Sequence, residues 1–240
     1  MGKKLKFCQR VGNLIAMGKD KLKRFSQLTT FSNVIQPNTD YFEKEHLIKG
    51  TWNKVFKNHH PLILELGCGA GEYTLGLAKL FPNINFIGID IKGARIWKGA
   101  KLALDEKLNN VRFLRTKVDY LQQFFKENEV DEIWLTFSDP QPKKPRKRLT
   151  SELFINRYKS ILKPNGIIHL KTDSKLLYEF TKEEILIKKH KLVKDIQNVY
   201  TYSYRENNQL EKILSIKTFY EHKWVEMNKI IKYLSFRIRS

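Results

Sequence analysis

One stretch constrains this chain more than any other: Ile63-Leu64-Glu65-Leu66-Gly67-Cys68-Gly69-Ala70-Gly71-Glu72. The apolar run over residues 61–66 reads as a buried strand. Three glycines follow at every second position, and a helical pattern begins at once. Strand, glycine turn and helix is the unit by which α/β proteins bring backbone N–H groups close to a ligand. A Cβ at Gly67, Gly69 or Gly71 would hold that ligand off or forbid a positive φ. A dinucleotide fingerprint, G-x-G-x-x-G, would place its third glycine at position 72, where this chain has Glu72. A carboxylate at a helix start repels a pyrophosphate and suits a cationic ligand. Glu65, at the strand end, adds a second acid. The competing reading is a glycine-rich turn with no ligand at all.

From residue 61 the pattern alternates. Strands are expected at 62–66, 84–90, 111–115, 131–137 and 166–171, with helices near 72–80, 93–107, 119–127, 150–162 and 175–189. Such alternation predicts an α/β fold with a parallel sheet and right-handed crossovers. Thr150 is the expected cap of the helix that follows it, and Lys163-Pro164-Asn165-Gly166 its terminator. Further strands are expected at 191–204 and 229–239, with a helix over 218–227 between them. Residues 1–30 read as a basic arm, flexible or helical, able to grip RNA phosphates or only to solubilise. Residues 31–240 are expected to form one further domain. Similar segments begin at Met1 and Met17, so Met17 is a second candidate start.

The 240 residues carry 45 Lys plus Arg against 25 Asp plus Glu, a formal net charge of +20. An excess this large points to a polyanionic partner, nucleic acid or an acidic membrane surface. A lysine-rich composition spread along the chain is the bland alternative. Two cysteines, Cys8 and Cys68, suffice for neither a disulfide framework nor a zinc set, and the histidines lack metal-ligand spacing. No run is long enough to span a bilayer, and residues 11–17 are too short for a signal peptide. A cytoplasmic setting without metal or membrane is expected, as monomer or homodimer.

In a sheet of this kind the ligand sits beyond the carboxyl ends of the strands. The second strand ends in Asp90, which can accept from ribose hydroxyls or cap the next helix. Asp119, after the third, reads first as a helix cap. The fourth ends in Phe137-Ser138-Asp139-Pro140-Gln141-Pro142, then Lys143-Lys144-Pro145-Arg146-Lys147-Arg148, with five cations in six positions. Proline fixes φ and so fixes where Asp139 points. Lys144, Arg146, Lys147 and Arg148 can hold a phosphate backbone. The fifth strand ends in Asp173, placed for a base edge or for a helix cap. His169 lies inside that strand and reads as a packing residue. A crevice of this kind suits methyl transfer from a sulfonium to a ring nitrogen. A free lone pair there needs no general base, and Asp139 can stabilise the charge that develops on the base.

Glu65-Leu66-Gly67-Cys68-Gly69-Ala70-Gly71 resembles the S-adenosylmethionine loop of Rossmann-like methyltransferases. With Ile87-Gly88-Ile89-Asp90, Phe137 through Lys144, Lys147-Arg148-Leu149-Thr150, Thr172-Asp173 and Lys217-Thr218-Phe219-Tyr220-Glu221, the chain resembles the bacterial tRNA (guanine-N7)-methyltransferase family across residues 18–236. The resemblance implies a class I fold with a seven-stranded, mostly parallel sheet and helices on both faces. It implies S-adenosylmethionine as cofactor and tRNA as partner, with methylation at N7 of the guanine at position 46 of the variable loop. It implies that Glu65, Gly67, Gly69, Gly71, Asp90 and Asp139 bind the cofactor and that Asp139 is catalytic. Lys143, Asp173, Thr218, Tyr220 and Glu221 would contact the guanosine. Two departures stand out. Ser138 and Gln141 replace a proline and a tryptophan of the family's loop. Lys117-Val118 stand where the family often has Asp-Ala, which leaves that third cofactor contact unassigned, with Asp119 a candidate for it. Two other readings fit the residues: an adenine-N6 or guanine-N2 methyltransferase, and an RNA-binding relative without catalysis.

Overall fold

The computed structural model describes residues 22–38, 44–204 and 208–239. Most of the expected basic arm, and Met17 with it, lies outside them. Its last part is helical over residues 22–28, and Leu28 is buried in the core.

Eight strands make one sheet: β1 (Val34–Ile35), β2 (Leu62–Leu66), β3 (Asn85–Asp90), β4 (Val111–Arg115), β5 (Val130–Thr136), β6 (Leu162–Thr172), β7 (Lys191–Ile196) and β8 (Lys232–Arg237). Their spatial order is β1-β4-β3-β2-β5-β6-β8-β7. All pairs through β6 are parallel, and β8 runs antiparallel to both β6 and β7. Helices cover both faces: α1 (Trp52–Phe56), α2 (Glu72–Leu80), α3 (Gly93–Asp105), α4 (Glu152–Lys159), α5 (Lys175–Ile187), α6 (Asn208–Leu214) and α7 (Phe219–Glu226). Because neighbouring strand residues point to opposite faces, Leu64 and Leu66 enter one core and Ile63 and Phe86 the other. The order reverses between β2 and β5, which is where a sheet of this class opens a crevice.

Several expectations are corrected. The sheet has eight strands, not seven, because the two-residue β1 adds an edge beside β4. The helix expected at 119–127 is a 3₁₀ turn over Val118–Gln123, broken where Tyr120 leaves helical geometry. The cap of α4 is Ser151, not Thr150; the Thr150 hydroxyl is taken up by a donor from Thr181. Lys163 to Gly166 open β6 as a bulge, with Asn165 at φ 66° and the register against β5 slipping between Val130 and Glu132. The strand expected to run to residue 204 stops at Ile196, because the Asn198 side chain and carbonyl close a turn with Tyr200 and Tyr202. α1, α6 and β1 carry too little periodic signal to be expected at all.

The Phe113 ring lies in a notch made by three glycines. A Cβ on Gly71 would come 2.6 Å from it, one on Gly88 2.8 Å and one on Gly99 2.9 Å. A Cβ on Gly99 would also strike the Ala70 carbonyl oxygen. Backbone of the glycine loop, β3 and α3 thus close on one aromatic ring, which sets the distance from loop to sheet. Overpacking such a site costs about 1–3 kcal/mol. Gly99→Ala is expected to lower unfolding stability by about that amount in urea titration; an unchanged midpoint would mean the notch is not tight.

Candidate active site

The loop after β2 is an open cradle. Gly67 sits at φ 76° and Gly69 at φ 59°, and a Cβ built on either meets nothing within 4 Å. Gly71, at φ 75°, has a different reason to be glycine, since the Phe113 ring fills its side-chain space. The loop is tied to β3: the Gly67 and Cys68 amides donate to the Ile89 carbonyl at 2.8 and 3.0 Å. Asp90 accepts from the Gly69 amide at 3.0 Å with one oxygen and from the Lys92 amide at 2.8 Å with the other. Two backbone donors thus fix the carboxylate's direction while lone pairs remain for a ligand.

Two cavities flank this loop and share Gly67. One, of about 390 Å³, is lined by Asp90, Ile91, Thr116, Lys117, Val118, Asp119, Gln141 and Lys147 among others. Asp119, on this cavity's wall, does not cap a helix as expected; its carboxylate lies 3.3 Å from the Arg157 guanidinium. The Thr116 hydroxyl is buried with no partner among the described residues. The other, of about 440 Å³, is lined by Glu65, Gly69, Glu72, Phe137, Thr218, Phe219 and Tyr220 among others.

Glu65 is 2 % exposed. One of its oxygens accepts from the Thr74 amide at 2.8 Å and from the Thr74 hydroxyl, and the other from the Thr136 hydroxyl. Burial pushes its carboxyl up to about 7, against the lowering effect of those hydrogen bonds. Burial also raises the Cys68 thiol, helped by the charges of Glu65 and Asp90, so Cys68 is an inert thiol and not a nucleophile.

The C-terminal segment forms the second cavity's far wall. Thr218 caps α7 by accepting from the Glu221 amide at 3.1 Å. Glu72 does not point at a ligand alone; it accepts from the Phe219 amide at 2.9 Å and so ties α2 to α7. Tyr220 is exposed beside Thr218, whereas Glu221 is fully buried and ion-paired with Lys171 at 2.8 Å. Asp173 lies at the carboxyl end of β6 and pairs with Lys229 at 3.0 Å.

The loop after β5 is folded by its own residues. Phe137 and Gln141 both take positive φ, at 50° and 44°. The exposed Asp139 accepts from the Gln141 amide at 2.9 Å, an Asx turn that sets its direction. Lys143, Lys144, Arg146 and Lys147 are exposed. Arg148 is not. It is 5 % exposed, donates to the Pro140 carbonyl at 2.9 Å and lies over the Phe180 ring at 4.4 Å. Its expected contact with RNA phosphates gives way to a role inside the loop, because its guanidinium is spent on holding the Pro140 turn.

Sequence reading missed three cations on the second cavity's rim: Arg24, Arg95 and Lys98. The latter two stand one helical turn apart on α3, directly after the Asp90 strand end, and that spacing was the available signal. His169 packs as expected, stacked on Trp134 at 4.0 Å and bonded to Tyr233 and Glu132. Among the described residues no three His, Cys, Asp or Glu side chains gather as a metal would need, and no helix is long and apolar enough to cross a membrane.

Solved structures similar in fold include the 16S rRNA methyltransferase KamB, with TM-score 0.58 and 14% identity over 79% of this chain and 93% of that one. A SAM-dependent methyltransferase from Aquifex aeolicus gives 0.51 and 13% over 89% and 98%. At such identities they speak for the Rossmann-like fold alone. In sequence, a family described as putative methyltransferase matches residues 59–234. The tRNA (guanine-N(7)-)-methyltransferase of Bacteroides thetaiotaomicron is 46% identical over 92% of this chain and 87% of its own length. That of Christiangramia forsetii is 45% identical over 92% and 99%, and that of Porphyromonas gingivalis 50% over 79% and 76%. With the paired cavities around its glycine loop, this chain belongs to the tRNA (guanine-N7)-methyltransferase family.

Proposed function

We propose that this chain, a tRNA (guanine-N7)-methyltransferase using S-adenosylmethionine, acts on the guanine at position 46 of the variable loop. The observation that carries this reading is the meeting of Glu65, Asp90, Phe137 and Thr218 at the sheet's switch point, around two cavities joined at Gly67. When bound, S-adenosylmethionine supplies a methyl group on a cationic sulfur.

The chain's own residues divide the remaining work. Gly67 and Gly69 leave open space for a ligand against the backbone. Asp90, aimed by two amides, accepts from ribose hydroxyls, and Asp119 supplies the third acid where Lys117 stands in place of the family's aspartate. Glu65, when ionised, offsets the donor's positive charge across the buried floor of the second cavity. Guanine N7 would take the methyl carbon with its lone pair as the carbon–sulfur bond breaks, the bonding pair staying on sulfur to leave a neutral thioether; N7 loses no proton, so no general base is required. As the purine becomes cationic, the Asp139 carboxylate stabilises the charge on it. Thr218 and Tyr220 wall the guanosine, with Lys143 and Asp173 at its edges. Lys144, Arg146 and Lys147 hold phosphates, each contact weakening with salt.

Incubation with labelled S-adenosylmethionine and total tRNA, followed by nucleoside analysis and mapping of the labelled fragment, is expected to yield 7-methylguanosine at position 46; label in another nucleoside or at another position would replace the reading. Asp139→Ala removes an exposed side chain and so should keep the fold. Turnover is expected to fall by roughly a hundredfold or more, the scale of losing one aimed electrostatic partner; near wild-type turnover would remove Asp139 from the chemistry.

Glu65 gives a pH dependence with a definite sign. A cationic donor favours the ionised carboxylate, so donor affinity should rise as pH rises from about 5.5 to 7.5, by up to about tenfold per unit below the carboxyl's value. Without donor the sign reverses. The folded state holds this proton between pH 4.5 and about 7, so Glu65 contributes stability that is lost as pH climbs through that window. Calorimetric titration checks the first, and a flat profile would set Glu65 aside.

The triple variant K144A/R146A/K147A should flatten the salt dependence of tRNA binding by about 0.7–0.9 in log–log slope per lost phosphate contact. R148A should instead lower stability and leave that slope alone. A slope unchanged in the triple variant would place the phosphate grip elsewhere.

A further inference from the structure

Among the described residues, Lys171 and Glu221 form the ion pair in which both side chains are fully buried. The Lys171 ammonium has three donors, and all are placed: on the Leu214 carbonyl at 2.7 Å, the Ile216 carbonyl at 2.9 Å and Glu221 at 2.8 Å. The second oxygen of Glu221 accepts from the Tyr200 hydroxyl at 2.7 Å. The ammonium sits 5.3 Å from the centre of the Tyr73 ring and 5.9 Å from that of Phe137. Neither charge has a free direction toward the cavity.

What the pair does touch is the segment that builds the cavity wall. Lys171 lies one residue before the end of β6. Its contacts catch the last turn of α6, the connection at Ile216 and the first turn of α7. Between those points the chain presents Thr218, Phe219 and Tyr220 to the second cavity. Close packing backs the same segment: the Tyr73 hydroxyl donates to the Ile213 carbonyl at 3.0 Å, and a Cβ on Gly76 would come 2.5 Å from Ile216. A buried ion pair is seldom a net gain in stability over apolar side chains of similar size, whereas its directed bonds define one geometry. Burial brings the Lys171 ammonium down to about 8, with Glu221 opposing, so the cation is held at a cost that apolar packing would not incur.

We propose that Lys171 and Glu221 are positioning residues, a latch that sets the Thr218–Tyr220 turn against the sheet and so shapes the guanosine side of the site. Glu221 then acts from behind the wall and makes no contact with the nucleoside. The identity of the ligand at that wall rests on the tRNA reading above; the latch itself does not.

The test uses the full chain with K171M, E221M, K171M/E221M and E221Q. Three readouts are needed: kcat and KM with unmodified tRNA, S-adenosylmethionine affinity by calorimetry, and hydrogen exchange over residues 213–222. K171M leaves Glu221 buried and uncompensated. Its kcat/KM for tRNA should fall by roughly ten- to a hundredfold, with donor affinity changed by no more than about twofold. K171M/E221M removes the orphaned charge and should be more active than either single variant. E221Q keeps the shape and should exchange faster within residues 213–222 alone. A double variant no better than E221M at equal melting temperature would overturn the proposal. So would an E221Q that loses turnover with unchanged exchange. If K171M fails to fold, the E221Q exchange pattern decides. A wild-type chain inactive on tRNA would sink the tRNA reading, while the exchange experiment would still report on the latch.

Discussion

A carboxylate buried where the sheet reverses its strand order holds the site together. Glu65 comes from β2, Thr74 from α2 and Thr136 from β5, and their hydrogen bonds join the three elements that diverge at that point. A crevice between diverging elements would otherwise be free to widen. When ionised, the acid places its charge at the floor of a cavity in a poorly solvated setting, where its field on a cationic ligand is least screened. One group thus serves both as a brace and as the source of the site's polarity.

Much of this was legible because it rests on local pattern. The strand–glycine–helix unit, the five parallel strands and the acid ending each of β2 and β3 follow from periodicity and from backbone rules that act within a few residues. What stayed hidden depends on distant partners. Gly71 looks like its two neighbours in sequence, yet it is held to glycine by an aromatic ring some forty positions further on. Arg148 sits in a run of cations that read alike, and only the Phe180 ring and the Pro140 carbonyl tell it from Lys147. Glu221 follows two exposed aromatics, and only Lys171 reveals that it faces inward. A short strand such as Val34–Ile35 has no period to detect; it exists because β4 is there to pair with it, the Phe113 amide donating to the Asn33 carbonyl just before it.

The charge distribution follows the same division. Some cations of this strongly basic chain are fixed by internal acceptors, as in Lys171 and Arg148, and contribute order. Others, on the loop after β5 and on the first turns of α3, stand exposed around the cavities and contribute field. The formal charge counts them equally, although only the second group can meet a polyanion. Acids are sorted likewise: Asp90 and Asp139 are aimed by backbone amides, whereas Glu72 is used to fasten one helix to another.

The place of β8 has a consequence for how the molecule comes to be. This strand lies between β6 and β7, yet it is the last of the three to be synthesised. Until residues 232–237 leave the ribosome, β6 has a bare edge and β7 has no neighbour at all. Bare edges invite pairing with other chains. Most of the parallel half can assemble during translation, but the sheet is sealed only once residues 232–237 have emerged, and with it the region of β6 that carries Lys171. Assembly of the cavity wall therefore waits on a strand made long after the glycine cradle, and a nascent chain halted before residue 232 would carry a formed cradle facing an unfinished wall.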